Sequence, residues 1–274
     1  MFFRLPKNVL FVDVPIPARY CPKNKGFLTE GINLEDYNDE ERWITFETDL
    51  FGIFGLFQKR YFNFPYKLWK LQGGKTVELS LTGKCLSLRI EISQEGCRVK
   101  SIKPGKFDVS ELLKSDDWMT PEELLQKLCL VGINMIYKRK DHKLVGLSPK
   151  NYQLEELTYN SMALLSEEYD FSWSKWNCKL PPGGIALNYE RADQRKEERL
   201  NLALIRRERV IQLKHGEEMM EFNNEPVDEQ KFSGTLFDLV LQEPPKEPHK
   251  FIAQSGCKEN VRLLLRKTAI LSCS

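Results

Sequence analysis

Apolar and polar positions alternate along the first third of the chain. Val77, Leu79 and Leu81 are separated by polar neighbours, and Leu86, Leu88, Ile90 and Ile92 alternate with Ser87, Arg89, Glu91 and Ser93. A period of two gives one buried and one wetted face, as in antiparallel strands. Thr82-Gly83-Lys84 between the two runs is short enough for a hairpin. Val9 to Val14 reads as a strand closed by Pro15 and Pro17, and Trp43 to Phe57 reads as extended, with bends at Gly52 and Gly55. Residues 1–105 are thus expected to form an antiparallel β-rich domain.

The period then changes. Thr120 is an N-cap, Pro121 suits the first helical position and Glu123 completes a capping box. Leu124, Leu125, Leu128 and Cys129 give an apolar stripe that Gly132 ends. Ile133 to Tyr137 reads as a strand returning to the sheet. Residues 154–166 read as a helix on Leu154, Leu157, Leu164 and Leu165. Extended pieces at Phe171–Trp176 and Ile185–Tyr189 flank the turn Pro181-Pro182-Gly183-Gly184. The charged stretch Arg191 to Glu221 fits a β-hairpin pivoting near Arg207-Glu208 or one long helix, and the hairpin is preferred. Two helices follow, one on Phe232, Leu236, Phe237, Val240 and Leu241 that stops at Pro244-Pro245, the other on Val261, Leu264, Leu265 and Ala269. The class is α+β: a β-rich N-terminal part with a capped helix, an α+β region at 106–225 that continues the sheet, and a helical segment at 226–274.

Composition changes this picture little. The 274 residues are 41% hydrophobic and 29% charged, ordinary for a folded domain. With 41 basic and 39 acidic residues the net charge is +2, which gives no support for sequence-independent nucleic-acid binding. Seven scattered cysteines without a C-x-x-C pair read as reduced thiols. Charge and proline interrupt the N-terminus too early for a secretory signal, and no run approaches the roughly 18 apolar residues of a membrane span. A soluble protein without membrane contact is expected.

Catalytic and ligand-binding patterns are weak. Gly73-Gly74-Lys75-Thr76 resembles the end of a phosphate-binding loop, but the position for its first glycine holds Trp69, so the pair reads as a turn between strands. His142, His215 and His249 stand apart in polar surroundings, without metal-ligand spacing. The carboxylate runs Asp36–Glu41 and Glu217–Glu221 read as solvated faces. No cofactor, metal, small-molecule substrate or catalytic residue is expected. The candidates for partner binding are two basic clusters, Lys138, Arg139, Lys140 and Lys143, then Arg206, Arg207 and Arg209, which suit an acidic protein surface such as tubulin. Trp176 is a further candidate: it lies on the opposite strand parity from Phe171 and Trp173, as an exposed interface anchor or as core or edge packing, the preferred reading.

Six segments, in order, resemble one family. They are Ile44-Thr45-Phe46-Glu47-Thr48-Asp49 with Phe51-Gly52, then Pro65-Tyr66-Lys67-Leu68-Trp69-Lys70-Leu71, then Trp118-Met119-Thr120-Pro121 with Gly132-Ile133-Asn134. Met162-Ala163-Leu164-Leu165-Ser166, Phe171-Ser172-Trp173-Ser174-Lys175-Trp176-Asn177 and Leu271-Ser272-Cys273-Ser274 complete the set. The chain is similar in these to the axonemal dynein intermediate chain seven family, also called the cancer susceptibility candidate one family. The similarity covers the C-terminal region of that family and reaches its expected end, without the long Lys/Glu-rich N-terminal region of full-length members. It implies a non-enzymatic accessory subunit of the ciliary axoneme, with axonemal dynein chains of the inner arm and tubulin or microtubules as partners. A cytosolic co-chaperone or assembly adaptor for dynein arms is the alternative. Lys70 departs from the pattern, which calls for an acidic residue there.

Overall fold

The computed structural model describes residues 1–104, 117–193, 200–242 and 256–274. The expected stop at Pro244-Pro245, His249 and the expected boundary between residues 105 and 106 fall outside this set.

In chain order the elements are β1 (Phe2–Arg4), β2 (Ile16–Cys21), β3 (Gly26–Leu28), β4 (Asn33–Asn38), β5 (Trp43–Glu47), β6 (Phe54–Phe57), β7 (Leu68–Gln72), β8 (Val77–Thr82), β9 (Leu86–Ser93) and β10 (Gly96–Pro104). Then come α1 (Pro121–Leu130), α2 (His142–Val145), α3 (Tyr152–Leu165), β11 (Tyr169–Trp173), β12 (Gly184–Arg191), β13 (Asn201–Arg206), β14 (Val210–Leu213), α4 (Leu236–Val240) and α5 (Gly256–Thr268). The architecture is the expected α+β class.

An eight-stranded sheet organises the chain, in the order β10-β9-β8-β7-β11-β12-β13-β14. All its pairings are antiparallel, and β11 brings the later strands onto β7 through Phe171 opposite Leu71. Leu71, Leu79, Leu88, Ile90, Phe171 and Leu187 are buried on one face, in one core with Leu125, Met162 and Leu264 of α1, α3 and α5. The alternation read from the sequence is the cause: each of these strands places every second side chain in that core. Two three-stranded sheets, β1-β5-β4 and β3-β2-β6, precede it.

The opposite face is divided. Over β8 to β10 it is polar: Lys100 Nζ lies 2.8 Å from Glu78 and 3.2 Å from Glu91, while Arg98 pairs with Glu91 at 2.8 Å. Over β12 to β14 it is apolar, and Ala186, Leu202, Leu204, Ile211 and Leu213 form a second core with Trp176. Among the described residues no helix is long and apolar enough to cross a membrane.

Local signals explain several element boundaries. Thr120 Oγ1 accepts from Glu123 N and Glu123 Oε2 accepts from Thr120 N at 2.9 Å, the expected capping box of α1. The preferred hairpin is present as β13 and β14, with Leu202 opposite Leu213. The Gly73-Gly74 turn joins β7 to β8, and a Cβ on Gly73 would meet the Tyr169 carbonyl oxygen at 2.9 Å, so only glycine fits.

Several expectations need correction. Val9 to Val14 is not a strand: Gln58 accepts from Val12 N and donates to the Leu10 carbonyl, which replaces a ladder. Ile133 to Tyr137 keeps its alternating burial but joins no sheet; its backbone is held by Lys267 through Tyr137 N and by the Asn134 side chain through Ile136 N. Gly52 does lie in a link, whereas Gly55 sits inside β6 opposite Ala18. The helix expected from Phe232 starts only at Leu236, because Thr235 and Asp238 form a second capping box, and Phe232 is exposed. Ala269 lies just beyond α5 with φ of 49°, a left-handed turn that sends residues 270–274 back into the core.

Candidate interaction surface

The N-terminal half of α3 brings the two basic clusters to one region. Asn151 caps this helix by accepting from Leu154 N at 3.1 Å. Lys138 and Arg139 to Lys143 form a short turn and α2 on one side of it, and the β13–β14 turn lies on the other. Lys138, Lys140 and Lys143 are exposed. Arg139 is not a free cation: its guanidinium pairs with Glu155 at 2.8 Å, donates to the Lys150 carbonyl and sits 5.8 Å from the Tyr152 ring. It fastens the basic turn to α3. Glu155 also accepts from Tyr159 OH at 2.8 Å, and burial pushes its carboxyl above the ordinary range against the pull of Ser272, Tyr159 and Arg139.

Arg206 is half-buried and Arg207 and Arg209 are exposed. Among the described residues no carboxylate pairs with any of the three. Arg206 and Arg207 line a cleft of about 270 Å³ between α3, the β13–β14 turn and the start of α4. Its apolar lining includes Leu154, Val210 and Leu236, all at least 95% buried, together with Leu157, which is 56% exposed. Leucine spacing alone predicts Leu157 in a core stripe with Leu154. The helical spacing that buries Leu154, Thr158, Ser161 and Leu165 leaves Leu157 on another face.

Trp176 is core, so the exposed-anchor reading is corrected. Its side chain is 1% exposed, its Nε1 donates to the Gly216 carbonyl at 3.4 Å, and Phe222 lies 5.6 Å from it. Residues 216–222 fold over it because Lys175 Nζ donates to the Glu217 and Met219 carbonyls and Asn188 Nδ2 donates to Glu217 Oε1. The acidic run at Glu217 thereby serves packing.

Residues 271–274 hold the least foreseen network. Asn177 Nδ2 donates to the Leu271 carbonyl at 2.8 Å, Tyr66 N to the Cys273 carbonyl at 2.7 Å, and Lys150 N to Ser272 Oγ at 3.0 Å. Beside it, the buried Lys150 ammonium donates to the carbonyls of Asn177 and Leu180 at 2.6 and 3.1 Å, and burial lowers its pKa to about 8. Lys70 lies 3.4 Å from Asp170 and 3.7 Å from Glu190 on the polar sheet face. Among the described residues no group of three His, Cys, Asp or Glu side chains is arranged to hold a metal ion.

Comparison with known proteins agrees with the resemblance. The bovine protein "Dynein axonemal intermediate chain 7" is 30% identical over 277 residues, 98% of this chain and 38% of the relative. The human protein of that name is 31% identical over 276 residues, with the same two shares, and the zebrafish (Danio rerio) one is 28% identical over 279 residues, covering 98% of this chain and 37% of the relative. The chain thus spans well under half the length of these curated relatives. The model of the family described as "Cancer susceptibility candidate 1 C-terminal" matches residues 23–205, and the chain belongs to that family.

Proposed function

We propose that the chain is a non-catalytic accessory part of the ciliary axoneme, associated with inner-arm dynein and with microtubules, and that it acts by binding other proteins. The observation that carries this reading is similarity along 98% of the chain to proteins named as an axonemal dynein intermediate chain. The geometry supports binding over turnover: the strongly shifted groups, such as Tyr159, Cys273 and Lys150, are buried in packing networks. The exposed cations Lys138, Lys140, Lys143, Arg207 and Arg209, with the half-buried Arg206, flank one helix end and suit an acidic protein surface such as that of tubulin. Complementarity of this kind sets on-rate and register, and weakens with salt.

The test is fractionation of ciliated cells that express the tagged chain. Retention with doublet microtubules and dynein heavy chains supports the reading. Confinement to the cell body, absent from washed axonemes, overturns it in favour of a cytosolic assembly adaptor.

A further inference from the structure

We propose that the cleft between α3, the β13–β14 turn and α4 is a docking site for an acidic peptide segment of a partner protein that inserts one apolar side chain. This inference rests on the reading that the chain works by binding proteins.

The cleft pairs two features that suit one ligand. Its floor is apolar, with Leu154, Val210 and Leu236, and Leu157 is left 56% exposed, apolar surface that an inserted side chain would remove from water. Its lining also includes Arg206 and Arg207, with which no carboxylate among the described residues pairs. Guanidinium forks bind carboxylates in a bidentate manner, and a side chain that fills a desolvated pocket is a common form of interface hot spot. Arg209 lies beside it on the same turn, on a second concavity along β14.

Size and charge choose the occupant. At about 270 Å³ the cleft is below the usual range of roughly 300–1,000 Å³ for small-molecule pockets, and matches one or two side chains of a peptide. The six cations around this helix end fall within the roughly four to eight that anionic membranes engage on an open surface, but of these only Arg206 and Arg207 line the concave cleft. A pair of arginines over a concave apolar floor is built for a carboxylate-flanked side chain instead.

The experiment is selection of random twelve-residue peptides displayed on phage against the whole chain, with the double variant Arg206→Glu/Arg207→Glu and, separately, Leu157→Lys as counter-targets. All three proteins are first shown to share one urea midpoint. The expected result is enrichment of peptides with a large apolar residue flanked by Asp or Glu, and at least tenfold weaker binding by each variant in fluorescence anisotropy. Three results overturn the proposal: no enrichment of acidic residues over the input, equal binding by the arginine variant, or binding of acidic peptides regardless of the apolar residue. Binding to phosphatidylserine vesicles that the arginine variant loses, with no acidic peptide enriched, counts against it as well. The variants are also followed into axonemes. Axonemal retention with failed selection defeats this inference alone, whereas selection without retention defeats the axonemal reading and leaves the cleft assigned.

Discussion

Lys150 offers the sharpest check on the buried network, because its effect has a sign that depends on pH. The residue is 3% exposed, its ammonium donates to the carbonyls of Asn177 and Leu180, and its pKa falls from 10.5 to about 8. A drop of that size means that burying the charge costs roughly 3 kcal/mol at neutral pH. Replacing Lys150 by Met removes this cost and also removes two charge-assisted hydrogen bonds, each worth about 1.5–3 kcal/mol. The bonds outweigh or match the burial cost, so at pH 7 the variant is expected to lie between unchanged and about 3 kcal/mol less stable. The slope is decisive. Between about pH 8 and 10.5 the unfolded chain keeps a proton on Lys150 that the folded chain releases, and stability therefore rises with pH in the natural protein. From pH 7 to 9.5 that gain is roughly 2 kcal/mol, and the Met variant lacks it. Urea unfolding followed by tryptophan fluorescence, at several pH values on both proteins, measures the difference, in which tyrosine and cysteine titrations common to both cancel. Parallel stability profiles would show that the ammonium is not held in a desolvated site, and would refute the reasoning.

Other consequences are simpler. Lys70→Glu sets a third carboxylate beside Asp170 and Glu190 and should lower stability by about 1–3 kcal/mol, more at low than at high ionic strength, read from urea midpoints. Thr120→Ala removes the cap of α1 and should cost about 1 kcal/mol by the same assay, with Thr120→Ser retaining most of it. Trp176→Ala should cost about 3–5 kcal/mol and expose Phe222 and Leu204 to hydrophobic dyes, as for a core residue; unchanged stability would return Trp176 to the surface. Gly83→Ala should impair folding, since its Cβ would fall 2.1 Å from Asn63 Oδ1, and soluble yield on expression reports it.

The parts of the fold set by local rules are legible in the order of residues alone. The alternation of Val77 to Ile92, the Thr120 box and the Arg207-Glu208 pivot each involve residues a few positions apart, and each appears as read. What local pattern misses depends on distant partners. Val9 to Val14 has the composition of a strand, yet its polar backbone is satisfied by Gln58, which no periodicity announces. Strand parity sets Trp176 apart from Phe171 and Trp173, but β11 ends at Trp173, and burial comes instead from residues 216–222 folding back. The basic clusters stand out as charge runs. That Arg139 is occupied by Glu155, while Arg206 and Arg207 lie over an apolar cleft, follows only from the positions of α3 and α4.

Three of the six segments that carry the family resemblance meet in one hydrogen-bond network. Pro65 to Leu71 supplies Tyr66 N and Trp69 Nε1, which donate to the Cys273 carbonyl and to Ser274 Oγ. Phe171 to Asn177 supplies the amide that holds the Leu271 and Ser274 carbonyls, and α3, which carries Met162 to Leu165, supplies the Tyr159 hydroxyl that accepts from Leu271 N at 3.1 Å. Residues 271–274 leave α5 through a left-handed turn and form no strand, so their buried polar groups have no ladder to satisfy them. Ser272 N and Cys273 N close on the Ala269 carbonyl, other groups find a side chain or a backbone group from elsewhere, and replacing the Asn177 side chain strands the Leu271 carbonyl at about 1–3 kcal/mol. Scattered short motifs are what such a knot leaves in a sequence: residues far apart along the chain, constrained together because they close one another's hydrogen bonds. The cleft is lined by a different row of α3, Leu154, Leu157 and Thr158, from the Glu155 and Tyr159 that face the knot. The knot therefore fixes the helix on which the cleft is displayed, while Leu157 takes no part in its hydrogen bonds and is left to answer to a partner.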